Sequence, residues 1–133
     1  MVGKRKELTQ KEHDKLVSEI AKRRFSYNDG SITYVNPNGE KNFAVDDQYP
    51  DIVVAMDESV QTIGEVETEE TVTEDEAEQW KTYARLNDYF YLYIPKSKVA
   101  DAKTIIKTKK IGIRGLRSFE YVDDKLVIKK VEI

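Results

Sequence analysis

The chain contains no cysteine and only one histidine, His13. Without cysteine it forms no disulfide, offers no thiolate nucleophile and holds no cysteine-ligated zinc or iron–sulfur cluster. A single imidazole also excludes any site that needs several histidines. These absences remove thiol catalysis and the zinc sites built from cysteine and histidine from the possible functions.

Long apolar runs are also missing. No stretch approaches the ~20 apolar residues that a membrane span needs. The N-terminus, Met1–Lys6, is basic, but a polar, helix-like segment follows it rather than an apolar signal core. We therefore expect no membrane association and a cytoplasmic location. Zinc-finger, helix-turn-helix and P-loop motifs are absent too, so no separate module for reading base sequence is expected.

The 133 residues suit one domain with one core, and we treat residues 1–133 as a single domain. Hydrophobic residues make up 39% and charged residues 35%, which allows a core beneath a densely charged surface. The net charge of −3 hides an uneven distribution, because Glu65–Glu78 is acidic and Lys96–Lys130 is basic. An acidic patch facing a basic one is suited to holding a metal and a polyanion side by side.

The first half of the chain is predicted to form one helix and four strands. Thr9–Glu12 has the form of a capping box, and Leu16 and Ile20 follow at helical spacing. Asn36–Gly39 has the composition of a hairpin turn, and Asp57–Ser59 that of a second turn. The predicted elements are a helix over 11–24 and strands over 32–35, 42–45, 51–56 and 60–67.

The second half alternates helices and strands. A second capping box, Thr73–Glu76, predicts a helix that runs to about Asn87. Pro95 ends the next strand, and Ser97 is positioned to cap a third helix. Strands are expected over 89–94, 119–122 and 126–133. The resulting order, α-β-β-β-β-α-β-α-β-β, predicts an α/β (or α+β) fold with helices against a central sheet.

Carboxylates stand at the ends of two successive predicted strands. Asp51 follows Pro50 at the start of one, and Glu65 and Glu67 close the next, fourteen and sixteen positions later. Neighbouring strands lie about 5 Å apart, so carboxylates at matching levels can share one divalent cation, and Mg²⁺ prefers oxygen ligands. Glu65 and Glu67 are two apart and share a strand face. The alternative is that Pro-Asp forms a turn and Glu-x-Glu a solvated strand face.

The order of these elements, from Lys11 to Tyr121, resembles the PD-(D/E)xK nuclease superfamily. The resemblance implies a restriction-endonuclease-like mixed sheet flanked by helices. It also implies a Mg²⁺ or Mn²⁺ ion bound by Asp51, Glu65 and the Val66 carbonyl, and hydrolysis of DNA phosphodiester bonds through a metal-bound water. The chain would then be a metal-dependent endonuclease.

Glu67 occupies the place of the lysine that normally completes this motif. A glutamate there implies a further ligand or a base, or else an inactive enzyme. Two alternatives therefore stay open. One is a catalytically inactive nuclease-fold module that binds nucleic acid or a protein partner, and the other is an unrelated α/β domain with surface carboxylates.

Two helices carry further likenesses. Gln79-x-x-x-Tyr83 has the spacing found in nucleases of the helicase–nuclease type, which adds Gln79 and Tyr83 to the expected catalytic set. A core tyrosine beside a solvated glutamine is the alternative. The first helix resembles that of archaeal Holliday-junction resolvases, which place an extra catalytic glutamate there, and His13 and the adjacent Glu12 align with it.

DNA binding is expected from basic side chains, because lysine and arginine contacts to phosphate give sequence-independent affinity. Arg114 and Arg117, flanked by glycines, favour close approach to phosphate, whereas the lysines at helical spacing also fit a solvated helix face. The expected contacts are Lys22, Arg23, Arg24, Lys103, Lys107, Lys110, Arg114 and Arg117.

A homodimer is also expected, because one domain offers one metal site and a duplex has two strands to cut. Two surfaces are alternative candidates for this pairing. One carries Tyr89, Tyr91 and Tyr93, although alternate tyrosines of one strand also fit packing against a helix. The other is the terminal strand over 126–133, whose unpaired edge invites pairing.

Overall fold

The computed structural model describes residues 7–37 and 41–133, with side chains from Gln10 onward. Across these residues it forms three helices and six strands. The helices are α1 (Glu7–Arg24), α2 (Glu74–Leu86) and α3 (Val99–Thr108). The strands are β1 (Ile32–Val35), β2 (Ile52–Met56), β3 (Ser59–Val66), β4 (Phe90–Pro95), β5 (Gly115–Val122) and β6 (Lys125–Val131).

The six strands form one mixed sheet in chain order. The central pairs β3–β4 and β4–β5 are parallel, and the outer pairs are antiparallel. Parallel neighbours need a crossover, which α2 and α3 supply. The antiparallel pairs β2–β3 and β5–β6 are joined by two-residue turns with positive φ, at Asp57–Glu58 and Asp123–Asp124. The predicted α/β class, a mixed sheet flanked by helices, is confirmed.

Strand alternation divides the core between two sheet faces. On one face, which we call the α1 face, Ile20 and Phe25 pack with Val54 and Tyr93. On the opposite face, the α2–α3 face, Trp80 of α2 and Ile105 of α3 pack with Val53, Leu92 and Leu116. From Thr62 onward, beyond a bulge in the β2–β3 pairing, odd-numbered and even-numbered residues of β3 therefore face different helices, which decides where its carboxylates point.

The strand predicted over residues 42–45 does not form, and within it only Val45 makes an isolated bridge. The reason is the buried side chain of Asn36. Its Oδ1 accepts from the backbone N–H groups of Asn42 and Phe43, and its Nδ2 donates to the carbonyls of Phe43 and Pro50. One amide thus replaces a strand ladder, and β1 pairs with β2 instead. The observed order is α-β-β-β-α-β-α-β-β, and residues 38–40 of the predicted hairpin turn lie outside the described residues.

Of the predicted helix caps, only Thr73 acts as one. Its Oγ1 accepts from the N–H of Glu76 at 3.2 Å and opens α2. α1 begins at Glu7, so Thr9 lies inside the helix, and its side chain is outside the described part of the chain. The Ser97 prediction is wrong, because the chain leaves β4 through a 3-10 turn and α3 begins at Val99.

The C-terminal end of α1 covers part of β6. Arg23 donates to the Leu126 carbonyl at 2.7 Å and Arg24 to the Ile128 carbonyl at 3.4 Å. An added strand would have to compete with these guanidinium groups for the same acceptors. Among the tyrosines expected at a dimer surface, Tyr93 is only 3% exposed. Both candidate dimer surfaces are therefore less accessible than the sequence indicated, and the homodimer stays a prediction.

Replacing Asn36 by alanine should destabilise the fold, because backbone groups of the 42–50 segment lose their hydrogen-bond partner inside the protein. We expect the free energy of unfolding to fall by about 2 kcal/mol or more. Urea unfolding of Asn36→Ala and of the exposed control Asn28→Ala checks this, and the control should change stability by less than ~0.5 kcal/mol. Equal stability of the two variants would contradict the role given to Asn36.

Candidate functional site

The site forms where β3 runs past the start of β2. Ile52, the first residue of β2, pairs with Gly64, so Val66 has no partner on that strand. Side chains take the place of the missing strand. Asp51 Oδ2 accepts from the N–H of Val66 at 2.9 Å, and His13 Nε2 lies 2.7 Å from its carbonyl oxygen. Glu65 Oε1 in turn accepts from the N–H of Asp51 at 2.7 Å.

His13 joins this group from α1, 53 positions away in sequence from Val66. A carbonyl oxygen only accepts, so Nε2 carries a hydrogen and donates it. The same nitrogen lies 3.4 Å from Asp51 Oδ2. His13 is buried, whereas Glu12 is exposed. The first-helix residue that reaches the site is therefore His13, and its hydrogen bond occupies the carbonyl that the resemblance assigns to a metal.

Glu67 lies just beyond β3 on the opposite face, and its side chain is fully buried. Thr71 Oγ1 donates to its Oε1 and Trp80 Nε1 donates to its Oε2, both at 2.7 Å. These two donors fix the carboxylate and keep it out of contact with solvent. A lysine, which cannot accept hydrogen bonds, would lose both.

Glu65, Glu67 and Glu76 form an acidic triad on the α2–α3 face. One oxygen of each lies within 4.8 Å of the others, and all three residues are buried. Glu76 reaches the triad because the Thr73 cap fixes the first turn of α2. The positive end of the helix dipole favours a carboxylate there.

Burial and mutual repulsion hold protons on this cluster. Burial, followed by the charges of Asp51 and Glu67, raises the pKa of Glu65 well above its usual value. Burial and the charge of Glu76 raise the pKa of Glu67 to about 7, against the lowering effect of the hydrogen bonds from Thr71 and Trp80. At neutral pH the cluster therefore carries less negative charge than three ionised carboxylates would.

The triad fits a hard divalent cation. Mg²⁺ binds oxygen at about 2.0–2.1 Å and Ca²⁺ at about 2.3–2.6 Å, so oxygens on opposite sides of one ion lie roughly 4–5 Å apart. The carboxylate oxygens fall within that span. Of the ligands that the resemblance implies, Asp51, Glu65 and the Val66 carbonyl, only Glu65 belongs to this triad.

Gln79 and Tyr83 lie beside the triad on α2. Gln79 Nε2 donates to the Tyr83 hydroxyl at 2.9 Å, as their shared helix face predicts. Burial, reinforced by the charges of Glu65 and Asp51, raises the pKa of Tyr83, so its hydroxyl stays protonated. Gln79 and Tyr83 therefore lie next to the acidic triad. A catalytic role for these two residues stays a prediction.

Sequence reasoning missed three residues of the cluster: Glu76, Trp80 and Thr71. Glu76 and Trp80 are four apart and share a face of α2, so helical spacing would have placed them together. This spacing is visible in the sequence, but Glu76 was interpreted as part of the capping box and Trp80 as part of the apolar stripe. No comparable pattern marks Thr71.

The basic residues expected to bind DNA do not form one surface. Lys22, Arg23 and Arg24 belong to α1, whereas Lys103 and Lys107 belong to α3 on the opposite side of the sheet. In the glycine-flanked segment with the two arginines, Gly115–Arg117 opens β5. Arg114 stacks on Tyr89 and Arg117 on Tyr91. Lys110, with φ of 54°, follows α3.

A cavity of about 670 Å³ opens beside His13 on the α1 face. Five of the twelve described residues that line it are acidic, whereas Lys15 is the one lysine or arginine among those twelve. A polyanion would be repelled at this opening, whereas a cation would be attracted. The acidic lining residues are Glu12, Glu19, Glu69, Glu70 and Asp124.

Comparison of the chain with protein-family models, with curated proteins and with solved structures finds no match. Within residues 7–37 and 41–133, no helix combines the length and the apolar character required to cross a bilayer.

The pKa of Glu67 makes stability depend on pH in a testable way. Its folded value of about 7 exceeds the ordinary 4.5, so the folded protein binds this proton more tightly than the unfolded chain. The stabilisation that this proton contributes is fully present below pH 4.5 and disappears as the pH rises to about 7. The free energy of unfolding falls by roughly 3 kcal/mol over that range. In chelator, Glu67→Gln should not show this fall, because glutamine does not ionise. Its free energy of unfolding should therefore exceed that of the wild type above neutral pH.

Denaturant unfolding between pH 4 and 8 measures the difference between Glu67→Gln and wild type. Glu70→Gln, which neutralises an exposed carboxylate nearby, serves as the control and should follow the wild type. A Glu67→Gln curve that stays parallel to wild type over this range would show that Glu67 is ionised throughout.

Proposed function

We propose that the chain is a metal-dependent nuclease that hydrolyses DNA phosphodiester bonds at the end of β3. One observation carries the proposal. Asp51, Glu65, the Val66 carbonyl and His13 come from separate parts of the chain and meet at one strand end, linked by bonds of 2.7–2.9 Å. The acidic triad adds oxygen ligands on the adjacent face.

Glu65 with Asp51, or with Glu67 and Glu76, would hold Mg²⁺ or Mn²⁺, which supplies Lewis-acid charge and an activated water when bound. The protein's own contribution is to fix the ligands. His13 holds the Val66 carbonyl, and Trp80 and Thr71 hold both oxygens of Glu67. With a pKa of about 7, Glu67 is also suited to accept a proton near neutral pH.

A second function, a nuclease-fold module that binds without cutting, is favoured by the enclosure of Glu67. Its side chain has no exposed surface, both of its oxygens are bonded, and the motif lysine is absent. A phosphate group has no direct access to it. Cleavage assays separate this function from the first.

Cleavage of supercoiled plasmid and branched DNA should require Mg²⁺ or Mn²⁺ and stop in chelator. Asp51→Asn and Glu65→Gln should each lower the rate by about 10²-fold or more, because each removes a charge that holds the metal. The matched control is Asp57→Asn in the exposed turn between the same two strands. It should cut at the wild-type rate.

Full activity of the Asp51→Asn protein would overturn the assignment of the site. A wild type that binds DNA but cuts nothing with either metal would support the binding module instead. In that case Glu67→Lys, which restores the usual motif, tests whether activity was lost through this one residue. Circular dichroism of each variant establishes that it is folded.

DNA binding measured in Ca²⁺ should weaken steeply with salt if α3 contacts phosphates. Lys107→Ala/Lys110→Ala should lower the log–log salt slope by about 0.9 for each lost contact, equally for all sequences. The control Lys11→Ala/Lys15→Ala removes the same charge from exposed positions of α1. An unchanged slope in this variant would assign Lys107 to a solvated helix face and Lys110 to a solvated turn.

A further inference from the structure

A second, smaller cavity of about 140 Å³ lies on the α1 face, at the C-terminal end of α1. Its wall contains two guanidinium groups and three phenol rings, and no carboxylate. It is separate from the acidic triad, which faces α2. The lining residues are Arg24, Phe25, Tyr27, Tyr91, Tyr93 and Arg117.

The Arg117 side chain is held in a defined position. Its guanidinium lies over the Tyr91 ring, 5.3 Å from the centroid, and Nη1 donates to the Leu116 carbonyl at 3.2 Å. A Cβ on Gly115 would come within 2.6 Å of the same Nη1. The glycine therefore leaves the space that the guanidinium occupies.

Arg24 brings a second positive charge to the same cavity. Its bond to the Ile128 carbonyl uses one of five N–H donors. Within the described residues, no carboxylate forms an ion pair with Arg24 or Arg117. The carboxylate of Asp29 lies near Tyr27 on the cavity wall and accepts hydrogen bonds from Ser31. Two like charges at one cavity repel, and an anion between them removes that cost.

Tyr93 adds a hydroxyl donor to the wall. Its ring is buried against Phe25, and burial raises its pKa to about 12 even though Arg117 and Arg24 act to lower it. The hydroxyl therefore keeps its hydrogen at physiological pH. Two guanidinium forks and a phenol hydroxyl match the acceptor oxygens of a tetrahedral anion.

We propose that this cavity binds one phosphate group, held by Arg24, Arg117 and the hydroxyl of Tyr93. The size agrees, because a cavity of about 150 Å³ accepts benzene, with six heavy atoms, whereas a phosphate group has five. A nucleoside is too large to enter with it. The site goes beyond the proposed cleavage and needs no metal. Free phosphate and a phosphate of a nucleic-acid strand share its chemistry.

Titration with inorganic phosphate, in chelator and at constant ionic strength, tests the site. The Nε–H signals of Arg24 and Arg117 in ¹⁵N NMR spectra should shift and saturate. Arg117→Gln should weaken binding about tenfold or more, as expected for a lost charge-assisted bond. Tyr93→Phe, which keeps the ring and removes the hydroxyl, should weaken it several-fold.

Arg85→Gln is the matched control, because it removes the same charge from an exposed position of α2 and Arg85 does not line the cavity. It should bind phosphate as the wild type does. Absence of saturable shifts, or an equal loss in Arg85→Gln and Arg117→Gln, would overturn the proposal. Tighter binding of a four-nucleotide strand than of inorganic phosphate assigns the group to nucleic acid, and the reverse order assigns it to free phosphate. Because chelator is present throughout, a failure of DNA cleavage leaves this result unaffected.

Discussion

Three buried glutamates within 4.8 Å of one another are the constraint on which the rest of this molecule depends. Ionised carboxylates at that separation repel strongly in an interior of low dielectric constant. The surrounding residues reduce the cost by separate means. Thr71 and Trp80 donate hydrogen bonds to Glu67, and the capped N-terminus of α2 faces Glu76. Bound protons reduce the remaining repulsion between the carboxylates, as the raised pKa values of Glu65 and Glu67 indicate.

The unequal lengths of β2 and β3 place chemistry on both faces of the sheet. Beyond Ile52 the backbone of β3 has no strand beside it, and Asp51 and His13 bond to Val66 in its place. Alternation then directs Glu65 and Glu67 toward α2, while Val66 packs toward α1. The same overhang thus gives a histidine–aspartate contact and a carboxylate cluster, with a single strand between them.

Strand alternation and helix capping depend on residues close in sequence, and the features that they control were predicted from the sequence. Period-two alternation placed Glu65 and Glu67 on one face, and the capping box at Thr73 opened α2 as expected. Failures occurred where a distant partner decides the outcome. The Asn36 amide replaces a strand ladder over residues 42–45. Arg23 and Arg24 bond to the carbonyls of Leu126 and Ile128, about a hundred positions away, which no local pattern marks, and their expected contacts with DNA stay a prediction. Glu76 was not predicted as a site residue, because its place in the capping box already accounted for a glutamate at that position.

Trp80 is the only tryptophan in the chain, and its indole N–H donates directly to Glu67. Indole emission responds to the charge and hydrogen bonding of its neighbours, so the ionisation of one carboxylate is coupled to one fluorophore. The protein therefore carries an intrinsic optical reporter inside its acidic cluster. A change in the charge of Glu67 is therefore expected to alter the emission of Trp80, without a label and without turnover of a substrate.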